Sequence, residues 1–498
     1  MTTTEPGATG AATGLRGGKS YLAALRDGRD VYVDGHRVDD VTVHPAFGPA
    51  ARTVAELYDL AADPASDMRA IDPQSGTETN RIYLTPRSRE DLAAFRGAVR
   101  TWARHTHGWM GRTPDHVAAF LAGFAAHPEA FASDGTLGHD FAANVRAYQR
   151  KLAAEQLYVS YAIIPPQVSR ATTAHAWEGE HIQAGVVEER AEGLVLRGAQ
   201  MLATGAAVAD ELMISCIKPL TEDDRDFAIS VVVPVATPGL KLYCRRPYAP
   251  AATSAFDYPL STRYDETDAL LVLDDVLVPW DRVFVDRDVA GLRRQFFDTG
   301  AHQLGNWQAQ IRLAVKMEFL AGLGRKMAAV NGVDRFPGVV EKLGELASLA
   351  ATVESGVLAA EYTAAADAAG VFRPGSRALY GAMGLQSEVY PRVLGILRDL
   401  AGGGVLQVPS GVEDLRVPAI RADIDRYVQS PGVEAAERIK LFKLVWDAVG
   451  SEFGGRHHQY EMFYAGAPFV VKGYAYRNYG FEPAVRAVDE FVASYDES

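Results

Sequence analysis

A chain of 498 residues, 48% hydrophobic and 23% charged, has the composition of a soluble globular protein and is long enough for roughly two to four domains or one layered enzyme. Its formal charge of −13, from 63 acidic against 50 basic side chains, disfavours a nucleic-acid partner, because neutralising phosphates needs a basic face. Two cysteines, Cys216 and Cys244, fit neither a disulfide framework nor a zinc or iron–sulfur spacing, and suit a reducing cytoplasm.

Residues 1–18 are rich in Thr, Gly and Ala and lack a basic start followed by an apolar run, so a flexible tail is expected rather than a secretory signal. No uncharged apolar stretch approaches the ~20 residues that span a bilayer, and no membrane association is expected. Residues 19–157 read as an N-terminal helical domain. Over 88–109, Ser88 stands as N-cap while Leu92, Phe95, Val99 and Trp102 recur three or four apart, giving one apolar helix face. Thr113 and Pro114 then open a second helix over 115–127.

The pattern changes at Ile163-Ile164-Pro165-Pro166-Gln167, an extended segment too rich in proline for a helix interior. A central antiparallel β domain, a barrel or sandwich, is expected over 158–285, with strands at 182–188, 193–200, 211–218, 227–235, 240–245 and 269–278. Residues 286–498 revert to long helices over 306–332, 336–369, 377–401 and 432–450, a helical bundle with a tail. Helices, then strands, then helices make an α+β chain without βαβ alternation, which argues against a Rossmann domain. Gly322-Leu323-Gly324 is followed by Met327 where the dinucleotide fingerprint needs Gly or Ala, and no Walker-type loop is present. A redox enzyme built this way takes its reducing power from another protein.

Four separated segments resemble the large oxygenase component of the 4-hydroxyphenylacetate 3-hydroxylase family. They are Gly108-Trp109-Met110-Gly111-Arg112-Thr113-Pro114-Asp115, the segment 163–167 above, Gly198-Ala199-Gln200-Met201-Leu202-Ala203-Thr204-Gly205, and Gly450-Ser451-Glu452-Phe453-Gly454-Gly455-Arg456 running on to Tyr460-Glu461. A further run from Asp265-Glu266-Thr267-Asp268 to Val278-Pro279-Trp280 looks like the family's end of the β domain. The resemblance implies an acyl-CoA-dehydrogenase-like fold, usually assembled as a homotetramer. It also implies a two-component monooxygenase in which diffusible reduced FAD comes from a separate NAD(P)H flavin reductase and sits between the β domain and the bundle. There it reacts with dioxygen to a C4a-hydroperoxyflavin that hydroxylates an electron-rich, phenolic ring.

By the same resemblance Arg112, His116 and Tyr161 are the catalytic residues, and Ile164, Gln167, Arg170, Thr204, Ser410, Ser451 and Arg456 contact the cofactor. The Arg112 guanidinium supplies fixed donors for a phenolate oxygen; spacing alone would make it a surface partner of Asp115. Thr204 offers a hydroxyl to the flavin or is an ordinary strand-end threonine. Arg456, in a Gly-rich stretch, suits a phosphate or an inter-helix salt bridge. Residues 219–226, with Glu222, Asp223, Asp224 and Arg225, form a loop that closes over substrate or a solvated charged turn.

The sequence departs from the family at two positions: family members usually carry Tyr where His116 stands and His where Tyr161 stands. If the two face one another, the exchange keeps one imidazole and one phenol beside the substrate oxygen, with His116 as base or hydrogen-bond partner because imidazole ordinarily titrates near neutrality. The departure keeps a non-phenolic, indole-like substrate, a carrier-tethered aromatic and a non-catalytic flavin-binding scaffold open as alternatives. His457-His458 and the His105, His107 pair do not converge on one point of a helix, so no metal site is expected. A hydroxyacyl-CoA dehydratase of the same superfamily needs an iron–sulfur cluster, and Cys216 and Cys244 do not supply its ligands.

Overall fold

The computed structural model describes residues 14–132, 138–169, 171–177, 179, 181–248 and 254–495; most of the expected tail and Arg170 lie outside them. The N-terminal part comprises α1 (Gly18–Ala24), β1 (Asp30–Val33), β2 (His36–Arg37), α2 (Gly48–Ala62), β3 (Arg69–Ile71), β4 (Glu78–Asn80), α3 (Arg89–His105), α4 (Pro114–Ala126) and α5 (Phe141–Glu155). The middle carries β5 (Val159–Ala162), β6 (Gly185–Arg190), β7 (Gly193–Gln200), β8 (Glu211–Ile214), β9 (Ser230–Pro234), β10 (Leu240–Cys244), the short α6 (Ser261–Tyr264), β11 (Ala269–Pro279) and β12 (Val283–Val285). Helices α7 (Val289–Phe297), α8 (Ala301–Val330) and α9 (Pro337–Tyr362) lead to a small hairpin of β13 (Ala365–Ala366) and β14 (Phe372–Arg373). Then follow α10 (Ser376–Ala401), α11 (Pro418–Tyr427), α12 (Ala435–Val449), α13 (Glu452–Phe463), α14 (Pro468–Asn478) and α15 (Glu482–Val492).

Local chemistry accounts for the helix starts. The Ser88 hydroxyl accepts the Asp91 N–H at 3.0 Å at the head of α3, whose first turn is acidic and whose last turn carries Arg104 and His105, all favourable to the helix dipole. Leu92, Phe95, Val99 and Trp102 form its buried face. Thr113 precedes Pro114 as expected, but its hydroxyl donates to Asp115 at 2.5 Å and makes no cap to a backbone N–H. Helix α4 is buried on almost every side, so it is a central element that packs on α8 and α5.

Two sheets form the middle layer, in the orders β2-β1-β10-β11-β7-β6 and β12-β9-β8-β5. The expectation of a wholly antiparallel β domain needs correction in two places, because β1 pairs with β10 and β5 with β8 in parallel. Through the first pairing β1 and β2, at 30–37 in the mostly helical N-terminal part, extend the larger sheet. The strand expected over 211–218 stops at Ile214, and that over 227–235 starts at Ser230 because Glu222–Phe227 is a 3-10 helix. One hydrophobic core runs from Phe47 and Trp102 through Tyr158 and Phe284 to Leu320 and Phe453, tying the sheets to the bundle. By length and composition α9 reaches what a membrane span requires, but Arg96 and Arg100 on α3 bond its Glu361 and Glu354 and it packs along α8 and α10.

Candidate active site

The site is built where the strap between α3 and α4 passes between the bundle and the sheets. Gly108 turns there in the left-handed region at φ 73°, and any Cβ would lie 2.8 Å from the Arg312 carbonyl of α8. A Cβ on Gly111 would meet the Tyr460 hydroxyl of α13 at 2.0 Å. The strap therefore delivers Arg112 into a gap with no spare width. Its backbone is fixed from both sides: the N–H donates to Glu266 at 2.5 Å, and the carbonyl accepts the Tyr158 hydroxyl at 2.5 Å.

The Arg112 side chain lies among aromatic rings. Its guanidinium carbon is 4.2 Å from the ring centre of Tyr464, 5.1 Å from Tyr161 and 5.4 Å from Tyr460. One N–H reaches His116 Nε2 at 2.7 Å. Among the described residues no carboxylate lies within ion-pair distance of this guanidinium, and Asp115, its expected surface partner, instead takes the Thr113 hydroxyl and the Gln308 amide at 3.0 Å. Burial works against the charge of Arg112, but the oxygens of Tyr161, Tyr460 and Tyr464 and the Glu266 carboxylate outweigh it, so its pKa stands above the ordinary arginine value. A fixed cation with free donors and no anion of its own can seat a phenol oxygen and stabilise negative charge that develops on it.

His116 and Tyr161 face one another with ring centres 5.3 Å apart, and Phe120 closes the wall at 5.3 Å from His116. The base argument for His116 needs correction, because the imidazole does not titrate near neutrality here. Burial first, then the charges of Arg112 and Arg312, push its pKa well below the usual value, and its Nε2 lone pair is occupied by Arg112. It stands as a neutral acceptor.

On the sheet side, Met201 donates its N–H to the Ile164 carbonyl at 2.8 Å, which sets the 164–168 and 201–204 segments side by side. Leu202, held at a left-handed φ of 60°, is 52% exposed, and Val168 is 51% exposed. Gln167 lies exposed beyond the Pro165-Pro166 stiffener. Val168 and Leu202 thus leave apolar surface open along these two segments.

The expected phosphate end does not fit as assigned. Arg456 donates to Asp268 at 2.7 and 3.1 Å and stands 3.5 Å from Glu266, a buried ion pair rather than a free phosphate ligand. Arg245 pairs with the same Asp268 at 2.9 Å, and the Thr204 hydroxyl donates to it at 2.6 Å, so that hydroxyl is already engaged. Ser451 accepts the Gly454 N–H and donates to the Asp447 carbonyl as the cap of α13. Ser410 bonds Asp414 at 2.8 Å on an exposed turn between α10 and α11. The structure brings Arg112, His116 and Tyr161 together; Arg456 borders them, 4.5 Å from the ring of Tyr460 that Arg112 also faces, whereas the hydroxyls of Ser410 and Ser451 bond Asp414 and Asp447 elsewhere.

Three residues at the site escaped sequence reasoning. Tyr460 on α13 and Tyr464 just after it sit a turn apart, and the first of them lies in the last motif segment, which was the available signal. Gln308, one of several polar residues with Asn306, Gln310 and Arg312 along α8, offered none. In the loop at 219–226 Glu222, Asp223 and Arg225 are exposed, as a solvated charged turn requires, while Asp224 is buried and accepts from the Thr221 N–H at 2.9 Å and from the His175 N–H at 2.9 Å. A cleft of about 1200 Å³ between α8, α12 and Phe256 contains neither Arg112 nor His116.

Comparison with known proteins places the chain in one family. Residues 17–285 match the model of the 4-hydroxyphenylacetate 3-hydroxylase N terminal family, and residues 292–493 match that of the C terminal family. The oxygenase component of 4-hydroxyphenylacetate 3-monooxygenase from Pseudomonas aeruginosa is 36% identical, over 97% of this chain and 93% of its own. A Streptomyces globisporus monooxygenase of (3S)-3-amino-3-(3-chloro-4-hydroxyphenyl)propanoyl-[peptidyl-carrier protein SgcC2] is 39% identical over 93% of this chain and 87% of its own. The crystal structure of an oxygenase component of 4-hydroxyphenylacetate 3-monooxygenase complexed with FAD superimposes with a TM-score of 0.90 at 33% identity, covering 96% of this chain and 98% of that one.

Proposed function

The chain belongs to the 4-hydroxyphenylacetate 3-hydroxylase family, and on that premise we propose that it is the oxygenase component of a two-component monooxygenase that hydroxylates a phenol seated on Arg112. The observation that carries this reading is the Arg112 guanidinium, caged by Tyr161, Tyr460 and Tyr464 and paired with no carboxylate among the described residues. Reduced FAD, delivered by a separate NAD(P)H reductase, supplies together with dioxygen the oxygen-transfer chemistry. The remaining work belongs to the chain. Arg112 holds the phenol oxygen and lowers the cost of its negative charge, which makes the ring electron-rich. His116 accepts a hydrogen bond at Nε2, and Tyr161, Phe120 and Tyr464 wall the ring from water. Ile164 and Gln167 would hold the flavin ring.

A carrier-tethered phenol is the second reading of the substrate, favoured by the Streptomyces relative and by the His116 and Tyr161 exchange. One experiment tests both. Protein mixed with anaerobically reduced FAD and then with isotopically labelled dioxygen should yield a phenol bearing one labelled oxygen. Free phenols and their carrier thioesters are compared side by side. Flavin reoxidation without a hydroxylated product from either set would overturn the proposal.

We also propose a cytoplasmic homotetramer. The free thiols of Cys216 and Cys244, which burial pushes up to about 11 and about 12, suit a reducing compartment. The apolar stripe of Val485, Val488, Phe491 and Val492 stands exposed on α15, and Val340, Leu358 and Tyr362 stand exposed on α9, surfaces that support burial against further copies. Sedimentation velocity should read four chains per particle; a monomer would refute the assembly.

A further inference from the structure

His116 touches three polar groups whose hydrogen-bonding capacities differ. Arg112, 2.7 Å from Nε2, can only donate. Nδ1 lies 3.0 Å from the Tyr464 hydroxyl, which can donate or accept, and 3.1 Å from Gln308 Oε1, which can only accept. The Gln308 amide is itself oriented, because its NH2 group donates to Asp115 Oδ2 at 3.0 Å. Turning it over would set its carbonyl against the carboxylate and its NH2 against the imidazole N–H. Asp115, His116 and Gln308 are all buried, so no water competes for these groups. The charged and titratable groups facing the imidazole are Arg112 and Asp115 at the start of α4, Tyr161 of β5, Arg312 of α8 and Tyr464 after α13.

We propose that Gln308, aligned by Asp115, is a positioning residue that locks His116 in the Nδ1–H tautomer. Nε2 is thereby an obligate acceptor, for Arg112 in the resting pocket and, in the phenol site proposed above on which this second role rests, for the substrate O–H. Arg112 selects the same tautomer, but it is the group that turns to the phenol oxygen when substrate arrives. The Tyr464 hydroxyl accommodates either tautomer and selects none. The lock from Gln308 keeps the acceptor in place through that exchange. It also gives a chemical reason for histidine at this position: a phenol side chain here would offer a donor, whereas the locked imidazole offers only a lone pair.

The test needs no substrate. Nitrogen-15 spectra of histidine-labelled protein, with the His116 signals assigned by difference from His116→Gln, report the tautomer directly. Arg112→Met removes the competing selector and should retain the single Nδ1–H form. Adding Gln308→Leu should lose it to a tautomer mixture. Adding Gln308→Glu instead should keep it, since a protonated carboxyl donates to Asp115 and accepts from Nδ1 just as the amide does. Loss of the form in Arg112→Met alone, or its persistence with Gln308→Leu, overturns the proposal whatever the enzyme's substrate proves to be. As a second measure, Gln308→Leu should weaken binding of 4-nitrophenol by about tenfold, and should add nothing in a His116→Gln background. Equal losses in both backgrounds would reduce Gln308 to a packing role and overturn the lock.

Discussion

Replacing Arg112 by methionine should lower kcat/KM for phenol hydroxylation by about 10²–10³-fold, the usual cost of removing a donor aimed at developing negative charge. Folding stability should change little, because burial works against the guanidinium while the three tyrosines and the Glu266 carboxylate work for it. The donors of this cation serve the ligand more than the fold. Methionine matches the length of the stem, keeps the ring contacts and removes the charge. Reduced-FAD binding should stay near wild type, because the flavin contacts proposed above, Ile164 and Gln167, belong to another segment of the chain. Steady-state kinetics, flavin titration and thermal unfolding together decide the matter. A variant that hydroxylates within threefold of wild type, or one that unfolds much earlier, would show that Arg112 is structural.

What the sequence made legible is what short-range chemistry determines. The Ser88 cap, the apolar face of α3 and the strand at 193–200 each depend on residues within a few positions of one another, and each stands where expected. Helix α9 ends at Tyr362 rather than at 369 because the chain turns into the β13 and β14 hairpin, a pairing that helix periodicity does not register. The parallel partnership of β1 with β10 joins residues about 210 apart, and nothing local in Asp30–Val33 announces it. The site divides the same way. Arg112 lay in a motif and reached the pocket. Arg456 was expected to meet a phosphate because its Gly-rich neighbours are local, whereas the Asp268 that occupies it is 188 positions away. Gln308 is 192 positions from His116, and only the packing of α8 on α4 makes it a partner.

Helix α13 and the residue that follows it present Tyr460 and Tyr464 to Arg112, and a buried carboxylate between them holds that helix down. Glu461 makes a two-pronged ion pair with Arg312 of α8, accepts from Lys316 at 3.0 Å and from the Gln386 amide of α10 at 3.0 Å. Glu461→Gln keeps the shape but leaves the buried Arg312 cation facing a neutral amide and loosens the hold of Lys316 on its proton. The expected loss is about 3–5 kcal/mol, the range for breaking a buried pair from one side. Lys316→Met, which leaves the Arg312 pair intact, should cost far less. Burial works against the Glu461 carboxylate, yet Arg312 and Lys316 outweigh it and hold its pKa at about 2. A carboxyl lowered on folding stabilises above its unfolded value of 4.5, so this contribution fades as pH falls from 4.5 towards about 2. Burial pulls Lys316 down to about 7 in spite of Glu461. An amine lowered on folding works the other way: the unfolded chain binds the extra proton between about 7 and 10.5, so stability rises with pH across that window. Glu461→Gln should therefore flatten the acid limb of the stability profile and widen the alkaline rise, since Lys316 loses the charge that held its proton. Denaturant titrations between pH 3 and 9 read both limbs. A variant within about 1 kcal/mol of wild type at neutral pH would show that the cluster relaxes around a neutral residue and does not anchor α13.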